Sequence, residues 1–502
     1  MTRVNPWLAC LVPLLLTAGC AVGPDYSRPA LQAPVPQAWT GSAVPATAAG
    51  DSARPARLAV AGEAGAAGRW WESFGDTTLN RLVDQALAHN PQLDQAAARV
   101  LEARAGVTGA ASPRWPTLEI GGQLSRAKSS EDVLLFGPLY SSSSSASVTA
   151  RWELDLWGRL ARGEQAARAA LLAGEHNRRA VLQGLIADVV RGWLTAGELE
   201  LQVALTERTI ASYQDSYRMV EERYRRGLVG PLDLHLAGQN LSAAQAQLPA
   251  FRQQLAVARR GLEVLAGRYP TGLPLTGVTG DGPPLPAPLA PVPAGLPSEL
   301  LDRRPDLLAA EASLAAAVAR IGQAKGALFP RLSLTADGGT RSRDIADLFA
   351  QGTDAWSLVG NLVMPLLNRG ATRSQVEVAE ARAREAVAAY RGAVLRAFAE
   401  VENALDQDLN QQERERHLAA SAASARSAVQ LAEERYQRGL DGLLTTLESQ
   451  RRLFTVESSL LAAQRERRVA RVELIRALGG SWDADAAIAH HEAATKPEGE
   501  RP

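Results

Sequence analysis

The most regular pattern in the chain is a period of two. From Thr117 to Leu124 the apolar Leu118, Ile120 and Leu124 fall on one face and Thr117, Glu119 and Gln123 on the other. Val148, Ala150, Trp152 and Leu154 likewise oppose Ser147, Thr149, Arg151, Glu153 and Asp155. The pattern returns with Leu332, Leu334 and Ala336 against Arg331, Ser333, Thr335 and Asp337, then with Trp356, Leu358, Leu362 and Met364 against Ser357 and Asn361. Each run predicts a strand with one greasy side and one wet side, arranged as two strand pairs. Strands of about ten residues with this alternation suit a bilayer-spanning barrel, because lipid tolerates neither an open sheet edge nor an unpaired backbone group. Trp115, Trp152, Trp157, Phe329 and Trp356 stand near strand ends or on the apolar face, where an aromatic girdle belongs. Four strands cannot close a membrane barrel, whose minimum is about eight, so several copies must share one. The segments Arg126 to Ala146, with the run Ser141 to Ser145, and Thr340 to Ala355 read as exposed polar loops between paired strands.

Between the strand pairs the pattern changes to long stretches rich in Ala, Leu, Arg, Glu and Gln, with no proline between Pro138 and Pro231 or between Pro365 and Pro497. Helices are predicted over about 159 to 226 and about 371 to 438, each on the order of 100 Å long at 1.5 Å per residue. Their many alanines imply close helix packing of the coiled-coil kind. Each helix leads through a Gly-containing turn into a return helix, and each strand pair is preceded by a helical stretch, about 91 to 112 and about 305 to 328. The chain is in fact written twice. Glu221-Glu222-Arg223-Tyr224-Arg225-Arg226-Gly227-Leu228-Val229-Gly230 returns as Glu433-Glu434-Arg435-Tyr436-Gln437-Arg438-Gly439-Leu440-Asp441-Gly442, an offset of 212. Upstream, Asn90-Pro91 matches Arg304-Pro305 and Pro116-Thr117-Leu118 matches Pro330-Arg331-Leu332 at 214. A net two residues are therefore lost between the matched strands and the long helices.

The N-terminus changes the picture again. Arg3, an apolar stretch from Trp7 to Leu16, and Leu16-Thr17-Ala18-Gly19-Cys20 read as an export signal ending at a lipidated cysteine. Cys10 leaves with the signal, so Cys20 is the only cysteine of the mature chain and no intrachain disulfide is possible. After the first twenty positions no run approaches the roughly 18 to 20 apolar residues of a membrane-spanning helix. The 502 residues carry 54 Lys plus Arg and 54 Asp plus Glu, and this zero balance makes nucleic acid a poor partner. Catalytic signatures are missing: there is no GxxxxGK loop, no His-Glu-x-x-His helix and no cysteine pair for zinc. His490-His491 reads as a solvated tail, Glu153 with Asp155 as the wet barrel face, and Glu221 with Glu222 as helix surface. No enzyme, metal site or cofactor is expected, apart from N-acyl and S-diacylglycerol lipid on Cys20.

Trp70-Trp71-Glu72-Ser73-Phe74-Gly75-Asp76 with Leu79, Leu82 and Asn90 resembles the opening segment of the NodT-like branch of TolC-type outer membrane factors. Ser298-Glu299-Leu300-Leu301-Asp302-Arg303-Arg304-Pro305-Asp306, Ile321-Gly322-Gln323-Ala324-Lys325 and Phe329-Pro330 are similar to that family's most recognisable stretch, and Cys20-Ala21-Val22-Gly23-Pro24-Asp25-Tyr26 matches its start. The resemblance covers essentially the whole mature chain. It implies a mixed α and β membrane fold: a homotrimer whose twelve strands, four per chain, form one outer-membrane barrel that continues into a long α-helical coiled-coil barrel in the periplasm. It also implies a periplasmic adaptor and an inner-membrane efflux pump of the resistance-nodulation-division class as partners, with outer-membrane lipid around the barrel. In that family the turns farthest from the barrel form the closed tip where the adaptor docks. Here these are Arg226, Gly227, Leu228, Val229 and Gly230, and Arg438, Gly439, Leu440, Asp441 and Gly442; Pro231 stands where a small polar residue is more usual. Matching the second tip helix suggests that Leu431 and Glu433 narrow the pore and that Arg435 helps latch it. Threefold symmetry would turn an inward carboxylate there into a ring of like charges needing cations.

The expected organisation is a signal over 1–19, a lipid-anchored extended linker over 20–69, a first repeat over 70–280, a Pro-rich linker over 281–297, a second repeat over 298–480 and a tail over 481–502. The expected function is passive export of small molecules. A channel for type I protein secretion would share the fold, and a structural coiled-coil lipoprotein is the alternative of a different class.

Overall fold

In the computed structural model, which describes residues 22–30, 35–36, 38–39, 69–130, 140–273, 285–288, 295 and 297–480, the duplication is visible element by element. The first repeat runs α1 (Thr77–His89), α2 (Pro91–Ala111), β1 (Thr117–Lys128), β2 (Tyr140–Leu154), α3 (Arg159–Arg225) and α4 (Pro231–Leu265). The second runs α5 (Pro305–Gly326), β3 (Arg331–Ser342), β4 (Asp354–Val363), α6 (Ala371–Gln437) and α7 (Leu443–Ala477). Helices α3 and α6 each hold 67 residues, and α4 and α7 each hold 35. The export signal, Cys20, most of the expected linkers, His490, His491 and the tail lie outside the described residues.

The chain divides into two compact units, one of Met1–Leu31, Ala98–His176 and Leu308–Gly392, the other of Gln32–Ala97, Asn177–Leu307 and Ala393–Pro502. Each unit draws on both repeats, so duplication and compactness divide the molecule differently.

The first unit carries the sheet, an antiparallel meander in the order β1-β2-β3-β4. Its strands are longer than the sequence predicts. Ser141 to Ser145, expected in a loop, belong to β2 and pair with β1 from Ala127↔Ser141 to Gln123↔Ser145, while Ser144 and Ser145 also face Ser342 and Arg341 of β3. Serine has little strand preference of its own, and here the ladder hydrogen bonds supplied by its neighbours decide. Arg126 to Lys128, Thr340 to Ser342 and Asp354 with Ala355 likewise extend the strands beyond expectation. Asp155, expected on the wet strand face, lies past the end of β2, where its carboxylate accepts the Ala161 backbone N–H in the first turn of α3 at 2.7 Å.

Residues 22–30 form neither helix nor strand, as an extended segment should, yet they do not behave as a free tether. The Val22 N–H donates to the Trp157 carbonyl at 3.1 Å. Asp25 pairs with the buried Arg162 at 2.7 Å, and Glu311 of α5 accepts from both the Tyr26 hydroxyl and Arg28 at 2.8 Å. Gly23, at φ 116°, lies so near Gly322 that an added Cβ would stand 2.4 Å from its Cα. By length and apolarity α5 would pass for a membrane span, contrary to the expectation that nothing beyond the signal does. Half of its most apolar stretch is buried, with Ala317 and Ile321 packed on Ala379 and Ala383 of α6, which accounts for its composition.

The core of the second unit gathers Trp71, Phe74, Leu79, Leu82 and Val83 around Ile186, Val190 and Leu194 of α3, Leu262 of α4 and Val472 of α7. The Trp-Trp-Glu-Ser-Phe-Gly-Asp motif builds this corner. Gly75 turns the chain at φ 68°, and one Asp76 oxygen caps α1 by accepting the Thr78 and Leu79 N–H groups while the other accepts the Trp193 indole N–H at 2.9 Å. Arg304 does the equivalent work in the second repeat. Buried, it forks onto Asp306 at 3.0 and 2.7 Å, reaches Glu400 of α6 at 2.7 Å, and donates to the Ala477 carbonyl that ends α7. Burial alone would push the Asp306 carboxyl up, but the Arg304 guanidinium outweighs it and holds Asp306 below the usual carboxylate range.

Candidate functional site: the sheet face and the helix turns

The register of the sheet decides what each face can do. Twelve consecutive pairs join β1 to β2 without a bulge, so alternation survives along the whole pair. Across the sheet, Leu118, Ala150, Ala336 and Leu358 form one row, Ile120, Val148, Gly338 and Trp356 the next, and Leu154, Leu332 and Leu362 a third. These rows share one face, and most of its large side chains are exposed, Ile120 at 89% and Trp356 at 82%. An apolar face of that extent open to water would drive aggregation; in a bilayer it is at home. The opposite face carries Glu119 paired with Arg151 at 3.0 Å, and Thr149 donating to Asp337 at 2.8 Å. At the end of the sheet where the helices attach, Trp157 stacks on Phe329 with ring centroids 5.0 Å apart and donates to the Pro330 carbonyl. The Trp152 indole, on the apolar face, donates to the Arg114 carbonyl. Among the described residues, the outer edges of β1 and β4 have no partner strand.

The helix turns form the second candidate region, and they close alike. Gly227 and Gly439 sit at φ 72° and 73°; Leu228 donates to the Arg223 carbonyl and Leu440 to the Arg435 carbonyl, both at 2.9 Å. Each is the left-handed ending that only glycine enters without strain. Gly230 and Gly442 then begin the return helices. Pro231 fits because it occupies the first helical position, where no N–H is needed. Beneath the turns Val220, Ala237, Tyr436, Leu443 and Leu447 pack together, while Leu228, Leu232, Leu440 and Leu444 remain exposed in two matched pairs.

The three residues suggested for the gate are separated in their bonding. Leu431 is exposed. Glu433 accepts from Gln450 of α7 at 2.8 Å, and the same amide nitrogen donates to Ser216 of α3 at 3.0 Å, so a buried glutamine ties three helices. Arg435 pairs with Asp441 of its own turn at 2.6 and 3.3 Å, uniting one suggested gate residue with one suggested docking residue. The hydrogen bonds from Arg435 hold the Asp441 carboxyl below its ordinary range. Gln450, Ser216 and Arg223 were not singled out from the sequence. Arg223 could have been found as the counterpart of Arg435 under the 212 offset, whereas Gln450 faces Gly238 under that offset and leaves no signal.

The sequence profile described as outer membrane efflux protein matches residues 82–268 and 296–480. Outer membrane protein OprJ of Pseudomonas aeruginosa is 35% identical over 487 residues, covering 96% of this chain and 97% of OprJ. The toluene efflux pump outer membrane protein TtgI of Pseudomonas putida is 34% identical over 472 residues, covering 93% and 97%. Among solved structures, the outer-membrane channel OprN superposes with a TM-score of 0.82 at 30% identity, over 92% of this chain and 99% of that one. The two unpaired sheet edges find their explanation in this fold class, in which three copies supply four strands each to a twelve-stranded barrel. A sheet greasy on one face and wet on the other, within a chain whose duplicated halves both match the profile, is thus the wall of a conduit, and the chain belongs to the outer membrane efflux protein family as a non-enzymatic exit duct of the outer membrane.

Proposed function

We propose that this chain is the terminal duct of a tripartite pump of the resistance-nodulation-division class, receiving small molecules from an adaptor-bound inner-membrane transporter and passing them outward without energy of its own. The observation that carries this reading is the sheet register, which separates a face apolar from the Leu154 row to the Ile120 row from a charged, internally paired one. Three copies would close the barrel, with the wet face lining the lumen and the apolar face in lipid.

The adaptor docks at Arg226 to Gly230 and Arg438 to Gly442, where the exposed Leu228, Leu232, Leu440 and Leu444 offer apolar contacts on a well-packed base. Closure of the tip rests on Arg435 with Asp441, on Glu433 held by Gln450, and on Leu431 projecting from α6. Opening follows when the adaptor binds the open arrangement better than the closed one. Covalent lipid on Cys20 anchors the chain; Val22, two residues on, is docked beside Trp157, which supports lipid entering the bilayer at that end of the sheet.

A deletion strain tests the whole reading. It should become sensitive to several antibiotics, organic solvents or metal ions while its secreted proteins stay unchanged, and the gene should restore resistance. Loss of a secreted protein with unaltered sensitivities would instead assign the duct to type I secretion.

A further inference from the structure

On β1 the apolar face ends at Leu124 and the next two residues of that face are basic, whereas on β3 and β4 it already gives way at the row of Thr340 and Asp354. Strand β2 from Leu154 to Ser144 covers about 26 Å of height at ~3.4 Å per residue and a tilt of about 40°. That matches a lipid-facing belt of about 25 Å. The unbroken register then continues on the same face with Arg126↔Ser142 and Lys128↔Tyr140. These rows stand on the order of 5 and 10 Å above the belt. Arg126, Lys128 and Tyr140 are exposed, and the Lys128 ammonium lies 5.9 Å from the Tyr140 ring centroid. Among the described strand residues of this face the only ionised side chains are Arg126, Lys128 and Asp354. Asp354 opens β4, three strand spacings or about 14 Å from β1 within the chain. The rim lies at the end of the sheet opposite to where α2, α3, α5 and α6 attach, and therefore at the outer leaflet of the outer membrane.

We propose that Arg126 and Lys128, with Tyr140 beside them, bind the phosphate groups of the phosphorylated glycolipid that forms the outer leaflet. The chemistry agrees at each point. A guanidinium forks onto phosphate oxygens, an ammonium adds a second cation a few ångströms higher, and an amphipathic phenol ring lies at the polar boundary. Immediately below, Ile120 and Leu124 of β1 offer an apolar wall to acyl chains. Cations on a lipid-facing surface are costly at mid-bilayer and cheap at its interface, and both lie beyond the belt. In a trimer the arrangement repeats three times, giving the barrel a collar of bound glycolipid.

Native mass spectrometry of the purified full-length protein tests this with three probes: a phosphorylated hexa-acyl glycolipid, the same glycolipid with its phosphates removed, and phosphatidylglycerol. The wild-type protein should retain the phosphorylated glycolipid, and the Arg126→Gln/Lys128→Gln variant should retain on the order of tenfold less, from two interfacial charges. Arg126→Lys/Lys128→Arg should behave as wild type. A heat-resistant oligomer on gels establishes that each variant has folded, so failure of the barrel is distinguishable from failure of the site. Equal retention by the Gln variant overturns the proposal, as does equal retention of the dephosphorylated glycolipid or of phosphatidylglycerol. It is also overturned if Asp354→Asn loosens the oligomer as much as the Gln variant does in lipid-free detergent, since the cations would then serve the seam between copies.

Discussion

Arg223 and Arg435 occupy the same position in the two repeats, 212 residues apart, and do different work. Arg223, in the last turn of α3, lies 4.6 Å from the Tyr436 ring centroid and donates to the Tyr436 and Gln437 carbonyls that end α6, at 3.4 and 3.3 Å. Arg435 turns instead to Asp441. The first repeat carries Val229 where the second carries Asp441, so Arg223 has no carboxylate in its own turn and reaches across to the neighbouring hairpin. Of the two equivalent arginines, only that of the first hairpin reaches the helix end of the other.

Removing Arg223 should therefore cost fold stability, and removing Arg435 should cost closure. Arg223→Ala loses a cation–π contact and a helix C-cap, a destabilisation of about 1 kcal/mol by thermal or chemical unfolding. Arg435→Ala should leave stability unchanged but raise closed-state conductance in planar bilayers severalfold, as should Glu433→Ala. An unaltered closed state in either would remove that residue from the gate.

The Arg435–Asp441 pair also predicts a pH response. Asp441 has its carboxyl pKa lowered by Arg435, so the pairing is fully present above the unfolded value near 3.9 and is lost only as pH falls through the still lower native one. Conductance should not change between about pH 8 and about pH 5 on account of this pair. A rise near neutral pH would point to a different latch.

Asp408 of α6 and Arg471 of α7 form a buried ion pair at 2.7 Å in which the Asp408 Oδ1 and one Arg471 nitrogen have no hydrogen-bond partner among the described residues. Burial raises the Asp408 pKa and lowers that of Arg471 despite their attraction, so desolvation exceeds the Coulomb gain. Arg471→Met alone should destabilise by about 3–5 kcal/mol, whereas Asp408→Leu with Arg471→Met should be neutral or stabilising. Because the native Asp408 pKa lies above the unfolded one, this pair contributes less stability as pH rises through that interval, the opposite sense to Asp441. Unfolding midpoints of the single and double variants decide the matter.

Arg304 should not tolerate replacement. Arg304→Leu removes the cation from the half-exposed Asp306 and Glu400 and frees the Ala477 carbonyl, a loss of about 1–3 kcal/mol, and Arg304→Lys cannot rebuild the fork. Stability through Asp306 is present above the unfolded carboxyl pKa and falls as pH drops through its lowered native value. A variant that melts with the wild type would show that the motif's arginine is not structural.

The two faces of the sheet should respond oppositely to charge. Ile120→Arg places a cation on the apolar face and should cost about 2–4 kcal/mol near mid-bilayer, measured by folding into lipid vesicles. Thr149→Arg, on the paired wet face, should fold normally. Equal tolerance at both positions would mean that the faces are misassigned.

Much of this was legible in the linear pattern because it depends on short-range periodicity. Period-two alternation identifies Leu118 to Leu124 as one strand face wherever the strand pairs, and the absence of proline with abundant alanine predicts two long helices whose observed 67 residues each follow from local preference. The repeat offset located both glycine turns, since a left-handed helix ending is a local requirement. What the tertiary structure alone decided depends on partners distant in the chain. Ser141 to Ser145 became strand because β1 pairs with all five and β3 with Ser144 and Ser145, Gln450 became a three-helix tie because Ser216 and Glu433 converge on it, and Arg223 parted from Arg435 because its own turn lacks a carboxylate. Backbone geometry is set by neighbours in sequence; a polar side chain is satisfied by neighbours in space, and only the folded chain names them.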